Sequence, residues 1–288
     1  MRKAVSMTPQ ELNERLESLY NSAEAATSEG LADQAIQRCE AALELLDLNF
    51  DEECSYTHGD FLMLAGNACW EEGDIEGALR YYRRANEMDP DRLDALVAIG
   101  VGLFHLCRFA AAKAYIELAS VEDPDCGEAW YYLALCSLRE GDTRLARIFF
   151  ERAHQKEPDR WLLPVLLDEE EIQRLVEEMF ALYPAEIQES LGNVAIVLEP
   201  MPSEDLLHSC DPPLDPLLLG LFTGVPLPER STFSAETELT QIHLFTYNIA
   251  LVAGSRERLL EELAVTLKHE IGHFLGLDED DLEERGLD

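Results

Sequence analysis

At 288 residues, 47% of them hydrophobic, the chain suits about two domains and can bury a sizeable core. Its 22 basic and 58 acidic residues leave a formal net charge of −36, which repels a phosphate backbone and argues against nucleic acid as a partner. No stretch approaches the roughly 18 apolar residues of a membrane span, "MRKAVSMTPQELNERL" lacks the apolar run of a signal peptide, and no C-x-x-C pair occurs among the seven cysteines, so a cytoplasmic protein with reduced, largely buried thiols is expected.

The first 160 residues are periodic. Pro90, Pro124 and Pro158 are spaced by 34, as are Ala78, Ala112 and Ala146, and Ala85, Ala119 and Ala153. Gly73 and Gly141 stand two such periods apart, with Cys107 in the slot between them. A unit of this length reads as a helical hairpin that buries its apolar face only by stacking on its neighbours. Alanines allow close helix approach, glycine suits the turn between helices, and proline closes the second helix. The spacing predicts repeats over about 59–92, 93–126 and 127–160, a weaker one over about 16–48, and an extended connector, "LNFDEECSYTH", at 48–58. "LAGNACWEEGDIEGALRYYRRANEMDPD" and "AWYYLALCSLREGDTRLARIFFERAHQKEPD" resemble the tetratricopeptide repeat family. The resemblance implies a helical solenoid whose first helices line a concave, protein-binding face. Its expected groove positions are Asp60, Met63, Asn67, Trp70, Val97, Val101, Phe104, Tyr131, Leu135 and Leu138. His105 and His154 read as surface or groove residues, not metal ligands. The lysine and asparagine set with which some family members clamp a chaperone's terminal carboxylate is not apparent.

From residue 161 the pattern changes, and a second domain is expected over 161–288. Asp168 is positioned to cap a helix with acidic residues 169–171 in its first turn, where the helix dipole favours them. Ile172, Leu175, Val176, Met179 and Phe180 form its apolar face. Pro184 opens a short helical turn that Gly192 ends. "VAIVLE" at 194–199 reads as a strand, and 201–217, rich in Pro, Asp and Ser, as a loop. "LLLGLFTGVPLPERS" suggests a strand entering a tight turn, and "TQIHLFTYNIAL" at 240–251 a strand free of Gly and Pro. "SRERLLEELAVTLKHEIGHFLGL" is an amphipathic helix with Ser255 at its N-cap. Arg258 stands where a capping box needs Glu or Gln. Leu259, Leu260, Leu263, Leu267 and Ile271 supply its core face. The second domain is therefore a small α+β layer.

That last helix carries H-E-x-x-H. Four residues turn a helix by about 400°, so His269 and His273 project from one face and can share one zinc ion. Glu270 stands beside the metal position, where it can deprotonate a water. A catalytic zinc needs a third protein ligand. With residues 274–288 following the motif, a downstream ligand is expected from a chain reversal at Gly276. Glu279, Asp278 and Asp280 all lie just beyond it, His243 on the strand is a further choice, and the acidic run also suits the cap of a final helix at 278–286. The spacing H-E-x-x-H-x-x-G-x-x-E resembles that of compact zinc peptidases of the metzincin type, which implies Glu279 as the third ligand.

Residues 172–288 also resemble the small bacterial zincin-like metallopeptidase family, through "NVAIVLEP", "LGLFTGVPL", "IHLFTYNIAL" and "HEIGHFLGLDEDDLEERG". In the third-ligand slot that family more often carries aspartate. The resemblance implies a zincin fold, Zn2+ and peptide-bond hydrolysis, with the repeats recruiting substrate or a partner protein. The alternative is an interaction scaffold whose zincin domain is silent or autoinhibited. In zincins a strand edge beside the metal helix can hold extended peptide, and by analogy "IHLFTYN" is that edge here, with Tyr247 either an oxyanion donor or a packed strand aromatic.

Overall fold

The computed structural model describes residues 7–49, 53–192, 194–229 and 240–285. The first six residues and the centre of the 48–58 connector, residues 50–52, lie outside these, as does residue 286 at the end of the expected last helix. The chain divides into two compact units, Met1–Lys156 and Glu157–Asp288.

The first unit is four helical hairpins in succession: α1 (Pro9–Ser28) with α2 (Ala32–Leu48), α3 (His58–Glu71) with α4 (Ile75–Met88), α5 (Leu93–His105) with α6 (Phe109–Glu122), and α7 (Gly127–Arg139) with α8 (Thr143–Lys156). α1 starts earlier than the repeat pattern suggests. Thr8 and Glu11 form a reciprocal capping box there, and Pro9 occupies the first helical turn. The six periodic alanines from Ala78 to Ala153 are all fully buried, as close helix packing requires. Cys39 and Cys136 are buried too, and desolvation pushes their thiols up to about 12. Between the helices of successive hairpins the backbone turns left-handed at Gly30, Gly73, Cys107 and Gly141, with φ of 69°, 78°, 57° and 79°. The third slot thus imposes on a cysteine the conformation that glycine adopts in the others.

In the second unit an acidic-capped helix, α9 (Glu169–Ala181), is followed by α10 (Ala185–Ser190) and β1 (Ala195–Glu199). Asp168 accepts the Glu171 amide at 2.7 Å, as its capping position predicts. A short turn of helix, α11 (Glu204–Leu207), interrupts the expected loop, capped by Ser203. β2 (Gly220–Thr223) and β3 (Gln241–Phe245) complete a sheet of order β1-β3-β2, in which β3 runs parallel to β1 and antiparallel to β2. Among the described strands β3 is central, so the expectation that "IHLFTYN" presents an edge is overturned; β1 and β2 are the edge strands.

The long strand expected over 240–251 is also corrected. It ends at Phe245, and α12 (Thr246–Ala253) follows. β1 and β2 are only five and four residues long, so a continued strand would leave its backbone groups without partners. In the helix, Asn248 turns inward and donates to the carbonyls of Pro216 and Leu218 at 3.0 and 2.8 Å. Gly254, at φ 64°, ends α12. α13 (Arg256–Phe274) then crosses the sheet, burying Leu259, Leu263, Leu267 and Ile271 against Ile242 and Leu244. α14 (Glu279–Glu284) is the last described helix.

Gly73 offers a clean test of the repeat turns. A Cβ there would meet no atom within 4 Å, so replacement costs only backbone conformation. Gly73→Ala should lower the free energy of unfolding by about 1–2 kcal/mol, measured by urea denaturation, without altering the helical content of the folded protein.

Candidate functional site

α13 brings His269 and His273 onto one face, their Nε2 atoms 3.0 Å apart. The helix ends at Phe274 with Leu275 as its C-cap, and the chain reverses through Gly276 at φ 88°. The Leu277 amide donates back to the Gly272 carbonyl at 3.1 Å. In the same turn the Leu277 carbonyl accepts from His273 Nδ1 at 3.1 Å, which leaves the Nε2 lone pair facing the cleft.

Beyond the turn, Asp278 and Glu279 take different tasks. Asp278 caps α14, accepting the Asp281 amide at 2.9 Å in a reciprocal box. Glu279 points at the imidazoles, with carboxylate oxygens 3.7 Å from His269 Nε2 and 3.3 Å from His273 Nε2. Capping and metal-ligand geometry thus coexist in one acidic run. Among the described residues, His269, His273 and Glu279 are the one group of three metal-capable side chains gathered this closely. Donors about 2.0–2.1 Å from a tetrahedral zinc stand roughly 3.3–3.4 Å from one another. The imidazole pair at 3.0 Å and the closest carboxylate approaches, which involve different Glu279 oxygens, lie near that edge, and one ligand atom from each residue falls within 4.8 Å of the others, so the donor set fits the ion. His243 belongs elsewhere: its Nδ1 meets Glu199 Oε2 at 2.9 Å, and its strand neighbours Ile242 and Leu244 are the residues that face α13.

Glu270 is the buried member of the motif, only 5% exposed. Burial pushes its carboxyl above the usual range; the two imidazoles and a hydrogen bond from the Phe222 amide oppose that shift, and Glu279 adds to it. The Phe222 contact comes from β2, the strand that pairs with β3 and leaves its other side to the cleft. Gly220 makes the approach possible: a Cβ there would stand 2.7 Å from Glu270 Oε1 and 2.7 Å from Thr266 Cγ2. The signal in the sequence is the glycine inside a strand, which often marks such a close approach. An open cleft of about 600 Å³ adjoins these residues, with Leu218, Leu221 and Pro226 on one wall and His269, Glu270, His273 and Glu279 on the other. The apolar segment ahead of residue 228 therefore forms a wall of the cleft. Tyr247 lies on α12 and lines a different cavity, with Leu198 and Glu199, which removes it as an oxyanion donor.

Residues 191–287 match the zincin-like metallopeptidase family, and residues 70–136 match the tetratricopeptide repeat family. The chain joins tetratricopeptide repeats to a zincin-like domain. A zincin-like domain implies a metal, usually zinc. No curated protein matches the chain in sequence. Solved structures similar to it include YrrB, a repeat protein with an unusual peptide-binding site, at 18% identity over 50% of this chain and 70% of that one, TM-score 0.41. MamA matches at 19% identity over 50% and 80%, TM-score 0.42. A tetratricopeptide repeat protein from Parabacteroides merdae matches at 17% identity over 51% and 55%, TM-score 0.44.

On the first helices of the tetratricopeptide hairpins, most of the expected groove positions are packed. Met63, Val97, Val101, Phe104, Leu135 and Leu138 are all buried. Asn67 is exposed, and Asp60, Trp70 and Tyr131 are partly so. His105 sits among aromatic rings, 5.3 Å from Trp70 and 3.1 Å from the Tyr132 hydroxyl. Arg92 links adjacent hairpins by bonding Asp60 at 2.9 Å and Asp94 at 2.8 Å. None of the described helices is long and apolar enough to cross a membrane.

The buried charge of Glu270 predicts a trade of stability against function. Glu270→Gln keeps an acceptor for the Phe222 amide and removes the desolvated charge. Because burial raises the folded-state pKa, the carboxyl is neutral and harmless at low pH and costs stability as pH rises through that pKa. Metal-free Glu270→Gln protein should therefore exceed wild type by about 1 kcal/mol at pH 8, and by less at pH 5, in paired thermal melts.

Proposed function

We propose that the zincin-like unit is a zinc-dependent peptidase and that the repeats recruit its protein substrate or a partner. The observation that carries this reading is the meeting of three metal-capable donors with a buried, pKa-raised carboxylate along one open cleft. His269, His273 and Glu279 would hold the ion, and Glu270 would serve as general base. Zinc bound there would supply a Lewis acid that polarises water and the scissile carbonyl.

Glu270 takes up a proton from the attacking water and returns it to the leaving amine. Its burial on α13 and its place beside the histidines put the carboxylate where it can do both halves of that task. The Phe222 amide fixes the carboxylate's direction, so little motion is needed between the two transfers. β2, as the edge strand that also walls the cleft, is where an extended chain would pair through its backbone. Leu218, Leu221 and Pro226 beside it would keep bulk water from the reacting bond. On the array, the partly exposed Asp60, Trp70 and Tyr131 and the exposed Asn67 offer hydrogen-bonding and aromatic contacts for a peptide.

Zinc content and cleavage of an unbiased peptide library test this reading together. Purified full-length protein should hold close to one zinc ion and cleave the library. Glu270→Ala should keep the metal and lose cleavage by about a thousandfold or more. Stoichiometric zinc with no Glu270-dependent cleavage would leave a scaffold with a silent metal domain.

A further inference from the structure

Glu279 reaches the imidazoles from a precarious platform. Its side chain is 76% exposed, and α14 is only six residues long. A helix so short has no stability of its own. What seats it is Leu282, which is fully buried. Leu282 lies one turn beyond Glu279, so the two side chains share a side of the helix and move together. Its receptor is a notch in α13 at Gly272, inside the histidine motif: a Cβ on Gly272 would lie 2.4 Å from Leu282 Cδ2. Any larger residue there must displace the Leu282 methyl from the notch that seats α14. From the other side the Pro228 ring packs on the reversal, its Cγ 2.8 Å from where a Cβ on Gly276 would stand.

We propose that Leu282 and Gly272 are positioning residues for the metal: their contact holds Glu279 at the site and so sets zinc affinity, though neither touches the ion. This inference rests on the reading of His269, His273 and Glu279 as ligands. It gives the H-E-x-x-H helix a second task. One face presents imidazoles, and the glycine that stands between the two histidines in the chain receives the leucine that delivers the third ligand.

A double-mutant cycle on the full chain tests it, with zinc affinity read by competition against a chromophoric chelator. Leu282→Ala should weaken binding about 10–100-fold, the usual cost of disturbing a ligand's support. Leu282→Met, which refills the notch, should restore affinity to within about threefold of wild type. Glu279→Gln should weaken binding as much as Leu282→Ala does. In the Glu279→Gln background, Leu282→Ala should change affinity by less than about twofold, because the leucine acts only through that carboxylate. Gly272→Ala, which displaces Leu282 without truncating it, should reproduce the loss and carries the test if Leu282→Ala does not fold by circular dichroism. Unchanged affinity in the folded Leu282 or Gly272 variants would overturn the proposal, as would effects that add to that of Glu279→Gln. Wild-type protein that binds no zinc, or a Glu279→Gln variant of undiminished affinity, would instead overturn the ligand assignment beneath it.

Discussion

A carboxylate buried beneath apolar side chains needs a hydrogen-bond donor beside it, and much of the second unit is arranged around giving one to Glu270. The donor is a backbone amide on β2, so the strand must lie close to α13, and Gly220 is the residue that lets it. β2 is in turn located by two tethers. Its pairing with β3 sets its register, and Asn248 holds the carbonyls of Pro216 and Leu218 just ahead of it. α12 is thus the bracket from which the cleft wall hangs. The histidines belong to the same helix as Glu270, so fixing α13 against β2 fixes them as well.

The charge of the chain bears on the same site. Of the 58 acidic residues 29 lie in 157–288, against only 7 of the 22 basic ones. Asp278, Asp280 and Asp281 flank Glu279 within one short segment. A field of that sign raises the local concentration of divalent cations and repels polyanions. It also makes α14 a poor helix to leave undocked, since its acidic residues repel one another unless a cation or a buried anchor offsets them.

How much of this was legible in the sequence depends on the range of the interaction. The repeats were readable because each unit makes the same contacts 34 residues on, and the buried alanines recur at that interval. His269, Glu270 and His273 were readable because helix geometry alone relates them, and Gly276 because the chain must reverse there. Counting alone did not separate Glu279 from Asp278; in the structure Asp278 is engaged as the cap of α14, while Glu279 turns toward the imidazoles. The misses are long-range. An apolar run such as "TQIHLFTYNIAL" does not reveal where its sheet partners end, and β3 became central only through pairing with strands 46 and about 20 residues away along the chain. Phe222 acts through its backbone, which carries no signature in residue identity. Gly272 and Leu282 each looked ordinary, one a variable position in a motif and the other one apolar residue among acids.

Cys107 sets a limit of another kind. In a one-dimensional stack, stability is a sum of unit and neighbour terms, and interior units are ordinarily the hardest to open. Here an interior hairpin asks a side-chain-bearing residue to adopt φ 57°, while the turns on either side use glycine. The deficit falls in the middle of the array, where it weakens the mutual support of the halves before and after it. Partial opening under mild denaturant would then divide the array near its centre instead of fraying it from an end, and the halves would exchange their amides with solvent as separate cooperative blocks.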